Sequence, residues 1–331
     1  MLRFLVLLPV LGMAVPAFPQ HTVYVCATNT SQYVVGAKLA PSGVFRKSTS
    51  GGWEQVGFNH PFTNALAWDT RDVSTFYLAA GNGLIRLSDR GANCRILTGS
   101  DVTELRDVAV DPNRPESIYF SHTVGIAATH DAGRTWHDAS GNLKRRYSEA
   151  IRVDRQHTGV LLAGTEAGLF RSENAGSTWS LAGAAGFQVQ RVEQSPHDAC
   201  YWLAVTQGGG IFASHDCGRT FESAGALGVG RNLYDIAWDP HDSTRVAVAG
   251  FGFGIAISND SGVTWKFRNA GLPKQDCWSL AFDPDRAGRL YTSVHEEALY
   301  VSDDLGLTWR VDGLPGTTIN RIQFVPNGGR K

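Results

Sequence analysis

Charged and aromatic side chains recur in this sequence about every 43 residues, and their types define the chemistry on offer. Asp107, Arg191, Asp235, Ser279 and Arg321 take one equivalent position of a repeating apolar segment, where Ala65 and Ala150 stand in two other copies. Arg106, Glu149, Tyr234 and Trp278 come one residue earlier. Two carboxylates such as Asp107 and Glu149 perform acid–base hydrolysis when they stand about 5 to 10 Å apart. They are the pair to test, though the residues alone assign neither as catalytic. Arg106, Arg191, Arg231 and Arg321 would orient a polar ligand, while Tyr147, Tyr234 and Trp278 would pack against its faces. The plain alternative is a set of ion pairs between neighbouring repeats, and the alternation of sign along the set favours it. Lys144, Arg145 and Arg146 form a basic loop that reads more simply as a solvated tip than as a docking patch. His60, His122, Glu166, Glu296 and Glu297 share the same expected face without metal-ligand spacing, so neither a metal nor a cofactor is expected.

Composition narrows the partners. The chain has 331 residues and a formal charge of −1, a balance that argues against a nucleic-acid partner held by bulk electrostatics. Arg3, the apolar run from Phe4 to Val15 and the small residues around Pro16 read as a secretory signal peptide over residues 1–17. The run is too short to span a bilayer, so no stable membrane insertion is expected. Residues 18–331 then form one exported domain, periplasmic or secreted, and a monomer. Cysteines stand at 26, 94, 200, 217 and 277, and an odd count leaves at least one unpaired. If Gly208 and Gly209 form a hairpin tip, Cys200 and Cys217 face each other across one ladder, which predicts a disulfide in an oxidising compartment.

The elements that must position these residues announce themselves as repeats. Ser258-Asn259-Asp260-Ser261-Gly262-Val263-Thr264-Trp265 returns as Ser302 to Trp309 and Ser172 to Trp179. It is less complete at Thr129 to Trp136 and Ser214 to Phe221, and degenerate at Ser88 to Cys94 and Ser48 to Trp53. The closing residues fall at 53, 94, 136, 179, 221, 265 and 309, which is seven copies in register. An Asp or Asn accepting backbone N–H groups, a Gly free to take positive φ and an aromatic that packs between layers together specify a tight turn between antiparallel strands. Two short strands precede each turn. Ahead of them runs an almost wholly apolar strand ending in Asp-Pro, as at Asp111-Pro112, Asp239-Pro240 and Asp283-Pro284. Its continuous hydrophobicity predicts burial on both faces. Four strands per unit predict an all-β fold, a seven-bladed β-propeller of four-stranded antiparallel blades. Residues 23 to 56 supply only three strands, and Asn320 to Pro326 is an extra copy of the first. Pairing that tail strand with Val23-Tyr24-Val25 closes the ring and removes two open edges.

The eight-residue pattern resembles the Asp-box, or BNR, repeat, over nearly the whole chain after the leader. In pattern the repeats are most similar to propellers of the photosystem II stability and assembly factor type and of the sortilin type. That resemblance implies an exported, non-catalytic scaffold offering its channel face to a protein or a carbohydrate, although one fold hosts unrelated sites. The rival implication is a glycoside hydrolase, since sialidases and xyloglucanases also carry Asp boxes. A sialidase likeness would imply six blades, an arginine triad and a Tyr nucleophile. Arg106, Arg191, Arg321 and Tyr234 would imitate that set, but seven repeats and the lack of a Phe-Arg-Ile-Pro signature near the start oppose it. Xyloglucanases of this type resemble two tandem propellers with opposed acids in the cleft, and one set of repeats stands here. A lectin, the third possibility, would stack sugars on Trp278, Tyr234 and Tyr147.

Overall fold

A computed structural model describes residues 20–30, 41–143 and 146–328. The expected signal peptide at 1–17 and Arg145 of the basic loop lie outside the described residues. Almost everything described is strand, turn or bend, with two three-residue 3-10 helices at Asp89–Gly91 and Gly141–Leu143. No helix of the described residues is long and apolar enough to cross a membrane.

Twenty-eight strands follow in order. The first sheet holds β1 (His21–Asn29), β2 (Gly43–Lys47) and β3 (Trp53–Val56), and the second holds β4 (Thr63–Asp69), β5 (Asp72–Ala80), β6 (Gly83–Ser88) and β7 (Asn93–Ile96). A third contains β8 (Leu105–Val110), β9 (Ile118–His122), β10 (Gly125–Thr129) and β11 (His137–Asp138). The fourth contains β12 (Ser148–Val153), β13 (Leu161–Thr165), β14 (Gly168–Ser172) and β15 (Ser180–Gly183). Next come β16 (Gln188–Gln194), β17 (Trp202–Gly209), β18 (Ile211–Ser214) and β19 (Glu222–Ser223), then β20 (Val229–Trp238), β21 (Val246–Phe251), β22 (Gly254–Ser258) and β23 (Lys266–Phe267). These two sets join into one eight-stranded sheet because β17 also pairs with the start of β20, at Gln207 with Asn232. The sixth sheet is β24 (Cys277–Phe282), β25 (Leu290–Val294), β26 (Ala298–Ser302) and β27 (Arg310–Gly313). The last strand, β28 (Thr317–Pro326), returns to the first sheet and pairs antiparallel with β1 from His21 to Asn29.

The first strand of each set packs against the next, in the order β4, β8, β12, β16, β20, β24 and β28, and β28 packs against β4. Apolar clusters fill every interval between successive sets, including the one that joins Tyr291, Leu299 and Val301 to Val23, Val25 and Ile322. The burial pattern departs from the expectation in one respect. Strands buried along their whole length are second and third ones, such as β13, β25 and β26, whereas β12 and β24 alternate. The second and fifth residues of β12 and of β24 are only partly covered.

Five of the repeat turns share one hydrogen-bond set. In the copy at 258–264, Ser258 Oγ donates to Asp260 Oδ1 at 2.7 Å and accepts from the N–H of Asp260 and Gly262, while Asp260 Oδ1 accepts from Thr264 N at 2.8 Å. The same contacts recur around Asp131, Asp216 and Asp304, and around Asn174, whose amide keeps the acceptor. The left-handed conformation expected of the Gly extends to the residue before it, with φ of 57° at Ser261 and 58° at Leu305. Each aromatic then anchors its turn. Trp136, Trp179 and Trp309 donate Nε1–H to Leu97, Ala139 and Arg268 carbonyls of the preceding set, whereas Trp265 bonds back to Gly262 of its own turn.

Cys200 and Cys217 are disulfide-bonded. The hairpin register is offset by one from the expected tip, since Trp202 pairs with Ser214 and Val205 with Ile211. The N–H of Cys217 nonetheless reaches the Cys200 carbonyl at 3.1 Å. Cys26 and Cys277 are buried free thiols, which burial pushes up to about 12, and Cys94 is exposed.

Candidate functional site

Every one of the seven first strands carries a β-bulge near its start. In β4 the pairing passes from Thr63 to Ala65, in β8 from Leu105 to Asp107, in β12 from Ser148 to Ala150 and in β16 from Val189 to Arg191. It passes from Leu233 to Asp235 in β20, from Cys277 to Leu280 in β24 and from Ile319 to Arg321 in β28. A bulge leaves the extra residue out of the ladder and re-aims its side chain. Asn64, Arg106, Glu149, Gln190, Tyr234, Trp278 and Asn320 are passed over, as is Ser279 beside Trp278 in β24; the seven, but not Ser279, line one cavity of about 290 Å³. Tyr147, Gln188, Arg191 and Gln207 complete its wall.

Neighbouring bulge residues hold one another. Asn320 Nδ2 donates to the Thr63 carbonyl at 2.9 Å and Asn64 Nδ2 to the Leu105 carbonyl at 2.7 Å. Arg106 grips Glu149 through both ends of its fork, Nε to Oε2 at 3.1 Å and Nη2 to Oε1 at 2.9 Å. The Tyr147 hydroxyl donates to the same Oε2 at 2.5 Å, and burial followed by the Glu149 charge pushes that phenol well above its usual range. Arg106 also lies over the Tyr147 ring, 5.7 Å from its centroid. On the other side, Tyr234 stacks on Trp278 at 4.3 Å and Trp278 on His295 at 5.2 Å, with Phe251 edge-on. Trp278 and Tyr147 therefore have part of their ring surface already occupied, which limits the sugar stacking expected of them. Gln190 differs from its neighbours: its Nε2 is buried with no hydrogen-bond partner.

Beneath the cavity lies an ionic network made by the next residue of four strands, Asp107, Arg191, Asp235 and Arg321, together with Arg152 and Glu193 further along theirs. Asp107, 1% exposed, accepts from Arg152 at 2.5 Å, Arg321 at 2.6 Å and Arg191 at 3.4 Å, and from the N–H of Val108 and Ile151. Burial alone would raise its carboxyl, but the three guanidiniums overcome this and hold it at about 2. Arg191 also donates to Asp235 at 3.1 Å, and Arg152 to Glu193 at 2.5 Å. Burial and the nearby guanidiniums lower Arg321 to about 10 despite Asp107.

Asp107 and Glu149 are thus placed differently: Asp107 is engaged by three arginines and does not line the mouth cavity, whereas Glu149 does. Arg321 points below the network and lines a second cavity on the opposite side, with Trp68, Trp238 and Phe324. Arg191 lines the mouth cavity with its guanidinium already engaged. Arg146 lies over the Phe170 ring at 5.7 Å, and Arg231 is exposed; neither lines the cavity. Asn64, Gln190 and Asn320 were missed, although they stand at the same repeat position as Arg106 and Glu149. Among the described residues no group of three or more His, Cys, Asp or Glu is placed to hold a metal ion.

No family model matches the chain. A curated relative, the xyloglucanase of Hypocrea jecorina (strain QM6a), is 29% identical over 182 residues, which are 52% of this chain and 22% of that protein. Among solved structures, a GH74 enzyme from Niastella koreensis aligns over 82% of this chain and 51% of its own, with TM-score 0.71 and 17% identity. A structure of YCF48 bound to D1 peptide aligns over 77% of this chain and 84% of its own, with TM-score 0.57 and 19% identity. The chain thus spans about a fifth of the xyloglucanase and about half of the GH74 enzyme. The xyloglucanase likeness overturns the expectation of a non-catalytic scaffold. What the structural likenesses show of the molecule itself is its fold, a β-propeller.

Proposed function

We propose that this chain is an exported glycoside hydrolase built on a closed, seven-bladed Asp-box propeller, acting as a monomer on a carbohydrate of the xyloglucan type. Reading the eight-stranded sheet as two blades gives the seven, and the packing of β28 against both β1 and β4 supports closure. The observation that carries the activity is the xyloglucanase likeness, and the clamped carboxylate in the mouth cavity supports that cavity as the site to test.

Glycoside hydrolysis needs two carboxyl groups, one presenting lone pairs and one donating a proton. Glu149, the one carboxylate in the cavity wall, takes the first role because Arg106 and Tyr147 fix its oxygens. Glu166 is the candidate to test for the second: it does not line the cavity, but it is exposed on the neighbouring β13–β14 hairpin, with its N–H bonded to the Tyr147 carbonyl at 3.1 Å. The test is release of reducing ends from xyloglucan by the purified chain. Glu149→Gln and Glu166→Gln are each expected to lower kcat by about a hundredfold or more while the melting temperature holds. A wild-type chain that releases no reducing ends would exclude the reading.

A further inference from the structure

The mouth cavity has a floor. Arg191 lines it, Asp235 and Arg321 line the cavity on the opposite side, and Arg191 is bonded to Asp235 between them. Arg152, Arg191 and Arg321 face Asp107, Asp235 and Glu193, so the network across the passage is charge-balanced, with Asp107, Arg191, Asp235 and Arg321 buried and Arg152 and Glu193 partly so. A polymer has no way through. At about 290 Å³ the cavity sits near the small end of ligand pockets, room for roughly one or two sugar rings.

The wall indicates which chemistry fits. Arg106 and Glu149 neutralise each other, leaving no free charge to draw an ionic ligand. Asn64, Gln188, Gln190, Gln207 and Asn320 supply amides, each with both a donor and an acceptor, as a hydroxyl requires of its partner. Gln190 lines the cavity and is 6% exposed; its Nε2 has no acceptor and is enclosed, so a turn of the side chain must present it to a ligand. A buried donor in that state costs free energy until an oxygen reaches it.

We propose that this cavity is a blind pocket that captures the terminal residue of a neutral glycan chain, with Gln190 donating to one of its oxygens. The inference rests on the cavity being the sugar site and adds that ends, not internal segments, are bound. It is tested by titrating the intact chain calorimetrically with xyloglucan fractions of increasing length. End capture predicts half-saturation at the same molar concentration of chains whatever their length, with one protein per glycan chain. Half-saturation that is constant per sugar residue, with several proteins on long chains, would overturn it, as would binding of no fraction. The two proposals separate cleanly: internal scission of the polymer keeps the hydrolase and removes end capture, whereas end-counted binding without hydrolysis does the reverse. Gln190→Leu is expected to weaken binding about tenfold with an unchanged or raised melting temperature. Unchanged binding in that variant would remove Gln190 from the inference.

Discussion

Asp107 shows how a side chain's role is decided by partners distant in the chain. Val108 lies beside it, but its three arginines come from positions 152, 191 and 321. Removing its charge leaves those guanidiniums without their shared counter-ion. Asp107→Asn is therefore expected to destabilise the protein by about 3 to 5 kcal/mol in chemical denaturation, since breaking a buried ion pair strands a charge. Activity lost at full stability would instead return Asp107 to catalysis. The repeat turns behave differently. The hydroxyl and N–H of Thr264 and the Ser258 hydroxyl hold the Asp260 carboxyl at about 2, and Asp216 is likewise held at about 2 against burial by Thr220 and Ser214. A carboxyl lowered by folding stabilises the protein at pH values above its ordinary range near 4, and that contribution disappears as the pH falls toward about 2. Asn174 already makes the same turn without a titrating group. A double variant, Asp216→Asn with Asp260→Asn, should thus lose less melting temperature than the parent between about pH 4 and pH 2. Equal acid sensitivity would show that these turns do not set it. The turns were legible in the sequence because every donor and acceptor lies within seven residues. Ion pairing among Asp107, Arg191, Asp235 and Arg321 was legible from the alternating signs at one repeat position, whereas Arg152 and Glu193, which stand elsewhere in their repeats, were not.

Two devices organise the elements. One is the repeat aromatic, whose ring packs between successive sets and whose indole N–H, in Trp136, Trp179 and Trp309, bonds to the preceding one. Trp179 is 5% exposed and donates to both Ala139 and Gly176. Trp179→Ala should cost about 3 to 5 kcal/mol by denaturant titration. A loss below about 1 kcal/mol would mean that the interval closes around the gap. The 41- to 44-residue spacing gave this device away, because it depends on the motif alone. The second device, the bulge, left a fainter trace. Arg106, Glu149, Tyr234 and Trp278 stand out as polar or aromatic residues ahead of apolar strands. Asn64, Gln190 and Asn320 occupy the same place as small or neutral amides that attract no notice alone. Only the pairing register, in which each is skipped, shows that all seven share one fate.

For the whole molecule the decisive contact joins residues nearly 300 positions apart. Truncation after Gly316 removes β28 and leaves β1 with an unpaired inner edge, β4 and β24 without a neighbour, and Asp107 without Arg321. The truncated chain is expected to lose its cooperative thermal transition and to aggregate, as an open sheet edge does. A transition as sharp and as high as the parent's would refute closure. The bulges carry a separate consequence for how such a molecule diversifies. Each extrudes a single side chain from its own strand while the ladder on either side continues, so a substitution at one of the seven leaves the other six undisturbed in backbone. Specificity becomes combinatorial in linked units, Arg106 varying with Glu149 and Tyr234 with Trp278, so a laboratory library would randomise these pairs together rather than one position at a time.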